Sequence, residues 1–218
     1  MKAYIMQPPY SRDVTAADAL FRWKMDALDK CAEDVDIIVL PEYCDVPVVT
    51  ATLEETLAIH KKNIGTLLDK CIQTARRCHA MVFVNALSLE KGGYRNTTYC
   101  YDREGNLRGK YFKKHLPPLE MEALKLDSDY TMEPSFPYVL EMEGLRFGFM
   151  TCYDFYFTRR LPAWRARRWI SSSAAPCSAV TATTPSRPCA ALLPTTPTPT
   201  WSGPPSAFPR MRPSAAPP

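Results

Sequence analysis

The stretch DIIVLPEYCD, residues 36–45, decides how the rest of the chain is read. Residues 37–40 are apolar without alternation, the pattern of a strand buried on both faces in a sheet covered by other layers. Pro41 has no amide hydrogen to give a ladder and ends the strand. Glu42 therefore stands at the C-terminal lip of a buried strand. Partial desolvation there raises a carboxyl pKa toward a value useful to a general base. Taken alone, a solvated loop glutamate is the plainer reading.

Working outward, residues 2–6 read as a short strand and residues 15–33 as a helix, capped by Thr15 or Asp18. Its apolar stripe runs through Ala19, Leu20, Trp23, Ala27 and Leu28. Residues 52–78 predict a long amphipathic helix with Leu53, Leu57, Ile64, Leu67, Leu68, Cys71 and Ile72 inward. Residues 81–87 (MVFVNAL) are the next strand. TTYCYD (97–102) and LRGKYF (107–112) flank a turn over residues 103–106. YVLEME (138–143) and LRFGFMTC (145–152) form a second pair around Gly144. Helices alternate with strands early and hairpins follow, which predicts an α/β fold: a mixed sheet with helices on its outer face.

The 218 residues are 46% hydrophobic, 11% aromatic and 23% charged, an ordinary globular composition for about one domain. No apolar run reaches the ~18 residues of a membrane span, so no membrane association is expected. The opening MKAYIMQPPYSRD lacks the apolar centre of a signal peptide, so a cytoplasmic location is expected. The eight cysteines, at 31, 44, 71, 78, 100, 152, 177 and 189, include no CxxC and no Cys/His zinc spacing. They read as reduced, mostly core thiols, with no metal or other cofactor expected and at most one of them reactive.

Composition breaks near residue 158. Residues 1–158 hold 19 basic and all 23 acidic residues; residues 159–218 hold eight arginines, no lysine and 13 of the 21 prolines. The net charge of +4 thus mixes an acidic front with a strongly basic tail. The expected organisation is a patterned domain over 1–158 and an irregular, disordered or frameshifted Pro/Arg-rich tail over 159–218. A one-base shift of a permissive reverse translation of residues 169–178 opens a strand-like reading, which places the frame change near residues 157–165. Arginines in a tail can hold phosphate, yet here they lack interleaved stacking aromatics, so nucleic acid is not the expected partner.

Two further strand ends concentrate polar groups. In GKYFKKHLPPLE (109–120), alternation puts Tyr111 and Lys113 on one face and Phe112 and Lys114 on the other. One lysine can therefore point inward and stabilise an oxyanion, while two surface lysines remain the plain alternative. His115 alone reads as a packed or capping histidine. In LRFGFMTCYDFYF (145–157), Cys152 leaves an apolar strand at the start of a turn or helix. Backbone N–H groups and a helix dipole there favour the thiolate, and the Tyr153 N–H could form half of an oxyanion hole. The alternative is a structural cysteine. A nucleophile, a base and a fixed cation, each at a strand end, together follow the logic of an activated thiol.

By these residues the chain resembles the carbon–nitrogen hydrolase (nitrilase) superfamily. Leu40-Pro41-Glu42, the Tyr-x-Lys-x-His-Leu context of Tyr111 to Leu116, and Cys152-Tyr153-Asp154 match its Glu–Lys–Cys signature in order. The resemblance, over residues 1 to about 157, implies the N-terminal portion of a nitrilase-like α-β-β-α sandwich, metal-free and usually homo-oligomeric. It implies Cys152 as nucleophile, Glu42 as base, and Lys113 with the Tyr153 N–H as oxyanion stabilisers. Glu120, or alternatively Glu122, would be the accessory glutamate. The implied substrate is a small-molecule amide, N-carbamoyl compound or nitrile, with the Lys-His-Leu-Pro-Pro stretch closer to the amidase and carbamoylase branches. Tyr156 stands where many relatives carry arginine. The tail replaces the half of the sandwich that relatives build after the cysteine, so an unstable or inactive product is expected. The competing readings are a Cys–His hydrolase using His115 or His79, and a basic-tailed binding protein without catalysis.

Overall fold

The computed structural model describes residues 1–91, 93–129, 139–160 and 179–183. All of them lie in one compact unit, Met1–Pro188. A five-stranded sheet has the order β1 (Ala3–Ile5), β2 (Ile37–Val39), β3 (Met81–Glu90), β4 (Gly93–Tyr101), β5 (Leu107–Phe112). The first two pairings are parallel and the last two antiparallel. Two helices, α1 (Ala17–Asp29) and α2 (Leu53–Cys78), supply the parallel crossovers. A second sheet has the order β6 (Val139–Met142), β7 (Leu145–Met150), β8 (Ala179–Thr183).

The unalternated apolar run at 37–40 has the consequence expected of it. Ile38 and Leu40 join Val82, Val84, Ala86 and Tyr99 in a core with Phe21, Leu28, Leu67 and Cys71 of the helices. Ile37 and Val39 face the other way. With Met81, Phe83, Cys100 and Tyr111 they meet Met142, Phe147 and Phe149 of the second sheet. The described residues thus build helix, sheet and sheet in three layers.

Helix α2 is well delimited. The Thr52 side chain accepts a hydrogen bond from the Glu55 amide, Glu54 and Glu55 lie in the first turn, Arg76 and Arg77 in the last, and His79 closes it at φ 49°.

Several elements differ from the sequence expectation. A 3₁₀ turn at Val14–Ala16 precedes α1, and β3 and β4 run on into one long hairpin, with Glu90 opposite Gly93. The α1 face keeps the expected Ala27 and Leu28 but is rotated before them: Ala19 is exposed and Trp23 is 42% exposed, and Phe21 and Lys24 are buried instead. Lys24 tolerates this because its carbon stem packs while Nζ donates to the Cys44 carbonyl at 3.1 Å. On α2 the buried row includes Thr56, His60 and Asn63, with Leu53, Leu57, Ile64, Leu68 and Ile72 only half-buried.

Part of the tail read as irregular is also a strand: β8 pairs antiparallel with β7, Phe147 opposite Ala182. It occupies the proline-free window between Pro176 and Pro185, where Val180, Thr181 and Thr183 suit a strand. The remaining tail expectations, over residues 161–178 and 184–218, lie outside the described residues.

Phe83 is the centre of the inter-sheet core, fully buried with ring centroids 5.0 Å from Phe147 and 5.7 Å from Phe149. Phe83→Ala should destabilise the protein by about 3–5 kcal/mol in urea denaturation. A loss under about 1 kcal/mol would show that the two sheets do not share this core.

Candidate active site

Along each inward-facing row between the sheets, the apolar pattern ends in polar side chains at one rim. On β3 Met81 and Phe83 lead to Asn85; on β4 Cys100 leads back through Thr98 to Asn96; on β5 Tyr111 leads to Lys113; on β7 Phe149 leads to Thr151 and then Cys152. The strand directions bring the ends on β3, β4 and β5 to the rim where β2 delivers Glu42, and hydrogen bonds from the Tyr111 hydroxyl and the His115 amide to Asp154 tie the end of β7 to the end of β5.

Glu42 reaches the rim through a bulge. The Leu40 amide donates to the Phe83 carbonyl at 2.8 Å and the Cys44 amide donates to the Asn85 carbonyl at 2.9 Å. Between these bonds β2's side advances four residues and β3 only two, so residues 41–43 loop out. Pro41, without an amide hydrogen, loses nothing there. Tyr43 takes φ 50°, a strained value for a tyrosine, and its amide donates to Asn85 Oδ1 at 2.9 Å.

The cluster that results is buried. Glu42 is 6%, Lys113 1% and Glu120 3% exposed. Lys113 Nζ lies 2.8 Å from Glu42 Oε1 and 2.9 Å from Glu120 Oε1. Asn96 Nδ2 donates to the same two oxygens at 2.8 and 3.0 Å, and the Tyr43 hydroxyl donates to Glu120 Oε1 at 2.8 Å. Asn85 Nδ2 in turn holds Asn96 Oδ1 at 2.7 Å. Lys113 is placed by its own amide, which donates to the Asn96 carbonyl at 2.9 Å and prolongs the β4–β5 ladder. Glu120 Oε2 is buried with no hydrogen-bond partner among the described residues.

Burial pushes the Glu42 carboxyl above its ordinary value; Lys113 pulls it back in part and Glu120 pushes it further up. Burial by itself would lower the Lys113 ammonium, but the two carboxylates outweigh it and hold the lysine charged.

Cys152 is half-buried, at φ 47°, and opens the 3₁₀ helix Cys152–Arg160. Its turn is tied to the lysine segment through Asp154. Asp154 Oδ2 accepts from the Thr151 amide at 2.9 Å and the Tyr111 hydroxyl at 2.6 Å. Its Oδ1 accepts from the His115 amide at 2.8 Å and lies 2.9 Å from His115 Nδ1. The flanks of Cys152 and of Lys113 are thus joined by one carboxylate. Tyr153, which follows the thiol, packs its ring against Tyr156 and Phe157. His115 stacks on Phe157 with ring centroids 4.0 Å apart.

Of the two candidate accessory glutamates, Glu120 joins the cluster and Glu122 is exposed. His79 is exposed at the end of α2. Asn85, Asn96 and Tyr43 carry no motif signal, and Asp154, though part of the Cys-Tyr-Asp motif, has no role assigned by it. The two asparagines carried a signal nonetheless: each is an amide at an inward register of an otherwise apolar or β-branched strand. Beside Tyr43 and Leu119 opens an apolar cleft that Tyr10, Val46, Val48 and Leu124 also line. Among the described residues no group of three His, Cys, Asp or Glu side chains forms a metal-binding cluster. No helix among them is long and apolar enough to cross a membrane.

The sequence profile of the carbon–nitrogen hydrolases matches residues 3–166. This chain belongs to the carbon–nitrogen hydrolase family. An (R)-stereoselective amidase of a Pseudomonas species is 30% identical over 132 residues, covering 60% of this chain and 44% of that protein. A 2-oxoglutaramate amidase of Bacillus subtilis is 27% identical over 138 residues, covering 63% of this chain and 49% of that one. This carbon–nitrogen hydrolase chain therefore spans about half the length of the curated relatives it matches. Among solved structures, a carbon–nitrogen hydrolase superfamily protein of Xanthomonas campestris with an arsenic adduct in its active site is 17% identical. It covers 74% of this chain and 54% of its own at a TM-score of 0.49.

Replacing Lys113 by Met would leave two buried carboxylates without a counter-charge. Lys113→Met should lower stability by about 3–5 kcal/mol at pH 7. One carboxylate of the variant then has a folded-state pKa raised above its unfolded value, so its destabilising effect fades as pH falls and that group takes up a proton. The gap to wild type should narrow in denaturant melts at about pH 5. An equal gap at both pH values would contradict the charge arrangement.

Proposed function

We propose that this chain hydrolyses a carbon–nitrogen bond of a small amide or N-carbamoyl compound, or of a nitrile, through a Cys152 acyl-enzyme. For an amide, Cys152 Sγ adds to the carbonyl carbon as its proton passes to Glu42. The oxyanion is met by the Lys113 ammonium and the Tyr153 N–H. Collapse breaks the carbon–nitrogen bond, and the nitrogen leaves as ammonia with the proton returned from Glu42. Glu42 then takes a proton from water as it attacks the thioester, releasing the carboxylic acid and the thiol. Glu120 Oε2, lacking a partner among the described residues, accepts a hydrogen bond from the substrate nitrogen, and the apolar cleft beside Tyr43 suits an apolar acyl substituent.

The observation that carries this reading is Lys113 Nζ shared at 2.8 and 2.9 Å between two buried carboxylates, with the turn that carries Cys152 tied to the lysine segment through Asp154. Family membership supports it. The identity of both curated relatives as amidases favours an amide over a nitrile. The Pro/Arg composition of residues 159–218 is what favours the second reading, a catalytically silent chain whose basic tail binds acidic partners.

Ammonia release from small primary amides and N-carbamoyl amino acids by the purified full chain separates the two. Turnover abolished in Cys152→Ala and lowered about 10²–10⁴-fold in Glu42→Gln supports the hydrolase. No turnover on any of these substrates supports the silent chain. A loss in His115→Ala as large as that in Glu42→Gln would favour a Cys–His pair instead.

The pH profile carries the raised Glu42 pKa. Glu42 accepts a proton only when ionised, so kcat/KM should fall on the acid side at a higher pH than an ordinary glutamate, about 4.3, would give. An acid limb at or below that value would contradict the role.

A further inference from the structure

Beneath the Glu42 bulge, on the helical side of the sheet, lies a second buried polar group that the chemistry above does not use. Lys24 of α1 and Asp45 are wholly buried, and His60 and Asn63 of α2 nearly so. Lys24 Nζ donates to the Cys44 carbonyl at 3.1 Å, and Asn63 Nδ2 donates to the Asp45 carbonyl at 2.8 Å. Asp45 Oδ2 lies 2.6 Å from His60 Nδ1 and accepts from the Leu87 amide of β3 at 3.2 Å. The His60 ring packs edge-on against Tyr94 of β4, at a centroid distance of 5.6 Å.

These contacts converge on two consecutive residues, 44 and 45, the point where the chain rejoins β3 after the bulge. They come from both helices and from the neighbouring strand. Burying a lysine, a carboxylate and a histidine here is costly, and apolar side chains of similar volume would fill the space without that cost. What the polar set adds is direction: four hydrogen bonds to fixed atoms of a segment that is two and three residues from Glu42.

We propose that Lys24, Asp45, His60 and Asn63 form a positioning network that fixes residues 44–45 and thereby aims Glu42 across the rim at Lys113 and the thiol of Cys152. The inference rests on reading Glu42 as the base. None of the four residues reaches the rim cluster directly: each acts through the backbone of the bulge.

The test uses the full chain with His60→Leu, which removes the Nδ1 contact, and His60→Asn, which keeps a nitrogen donor near the same place. Lys24→Met serves as a second probe should His60→Leu not fold. Leu67→Ala, a core truncation on the same helix, is the control for stability alone. The network predicts that His60→Leu lowers kcat about tenfold to a hundredfold with KM within about twofold. His60→Asn should recover most of the loss, and Leu67→Ala should lower the Tm without that split.

Site-resolved alkylation of Cys152 by iodoacetamide at pH 7 is read in the same proteins, because it needs no substrate. Slowing in Glu42→Gln and in His60→Leu, with recovery in His60→Asn, supports the network even where no amide is turned over. Slowing in Glu42→Gln but not in His60→Leu or Lys24→Met overturns the network and leaves the reading of Glu42 intact. No slowing in Glu42→Gln overturns that reading and the network with it. A Tm loss in His60→Leu and Lys24→Met with unchanged kcat and alkylation shows a structural role only, and also overturns the network.

Discussion

One ammonium held between two carboxylates organises this molecule. Lys113 Nζ contacts Glu42 and Glu120 in a space from which water is almost excluded. Two buried carboxylates facing one another without a cation could not both stay ionised; with it, the charge that remains uncompensated is a single negative one. That residual charge, in a poorly solvated place, raises the affinity of the Glu42 carboxyl for a proton. Asn96 donates to Oε1 of both carboxylates and Tyr43 to that of Glu120, and so they set where the cluster sits.

The rest of the fold serves to bring these groups to one rim. The sheet runs parallel across β1, β2 and β3 and antiparallel across β4 and β5. The C-terminal ends of β2 and β5 and the start of β4 are thereby neighbours. Glu42, Lys113 and Asn96, far apart in sequence, need no long loops to meet. The second sheet joins through Asp154, whose two oxygens hold the end of β7 and the end of β5 together. Two residues of this assembly, Tyr43 and Cys152, adopt positive φ. Both lie where a strand turns sharply to present a side chain at the rim.

The buried strand at 37–40 and the hairpin over 97–112 could be read from the sequence because their signals are local: apolar runs, a proline, a turn. Alternation put Lys113 and Lys114 on opposite faces and the family motif singled out Lys113; the structure has Lys113 at 1% exposure and Lys114 half-buried. The family was legible from three short motifs, and the profile over residues 3–166 bears it out. What stayed illegible depends on tertiary partners. Lys24 reads as a surface residue until Cys44 is seen to accept from it. His60 and Asn63 interrupt the apolar stripe of α2 because Asp45, 15 and 18 residues away, meets them inside the core. Glu120 and Glu122 have the same local context, and only the short π-turn at Leu119–Ala123 separates the buried one from the exposed one.

Activation of Cys152 by the rim cluster is tested most directly by acid-quenched mass spectrometry of the full chain mixed with a small primary amide, resolved to the modified peptide. An acyl mass on Cys152 should appear in the wild-type chain and be absent in Glu42→Gln. An acyl group on another cysteine, or one that forms on Cys152 undiminished without Glu42, would contradict it.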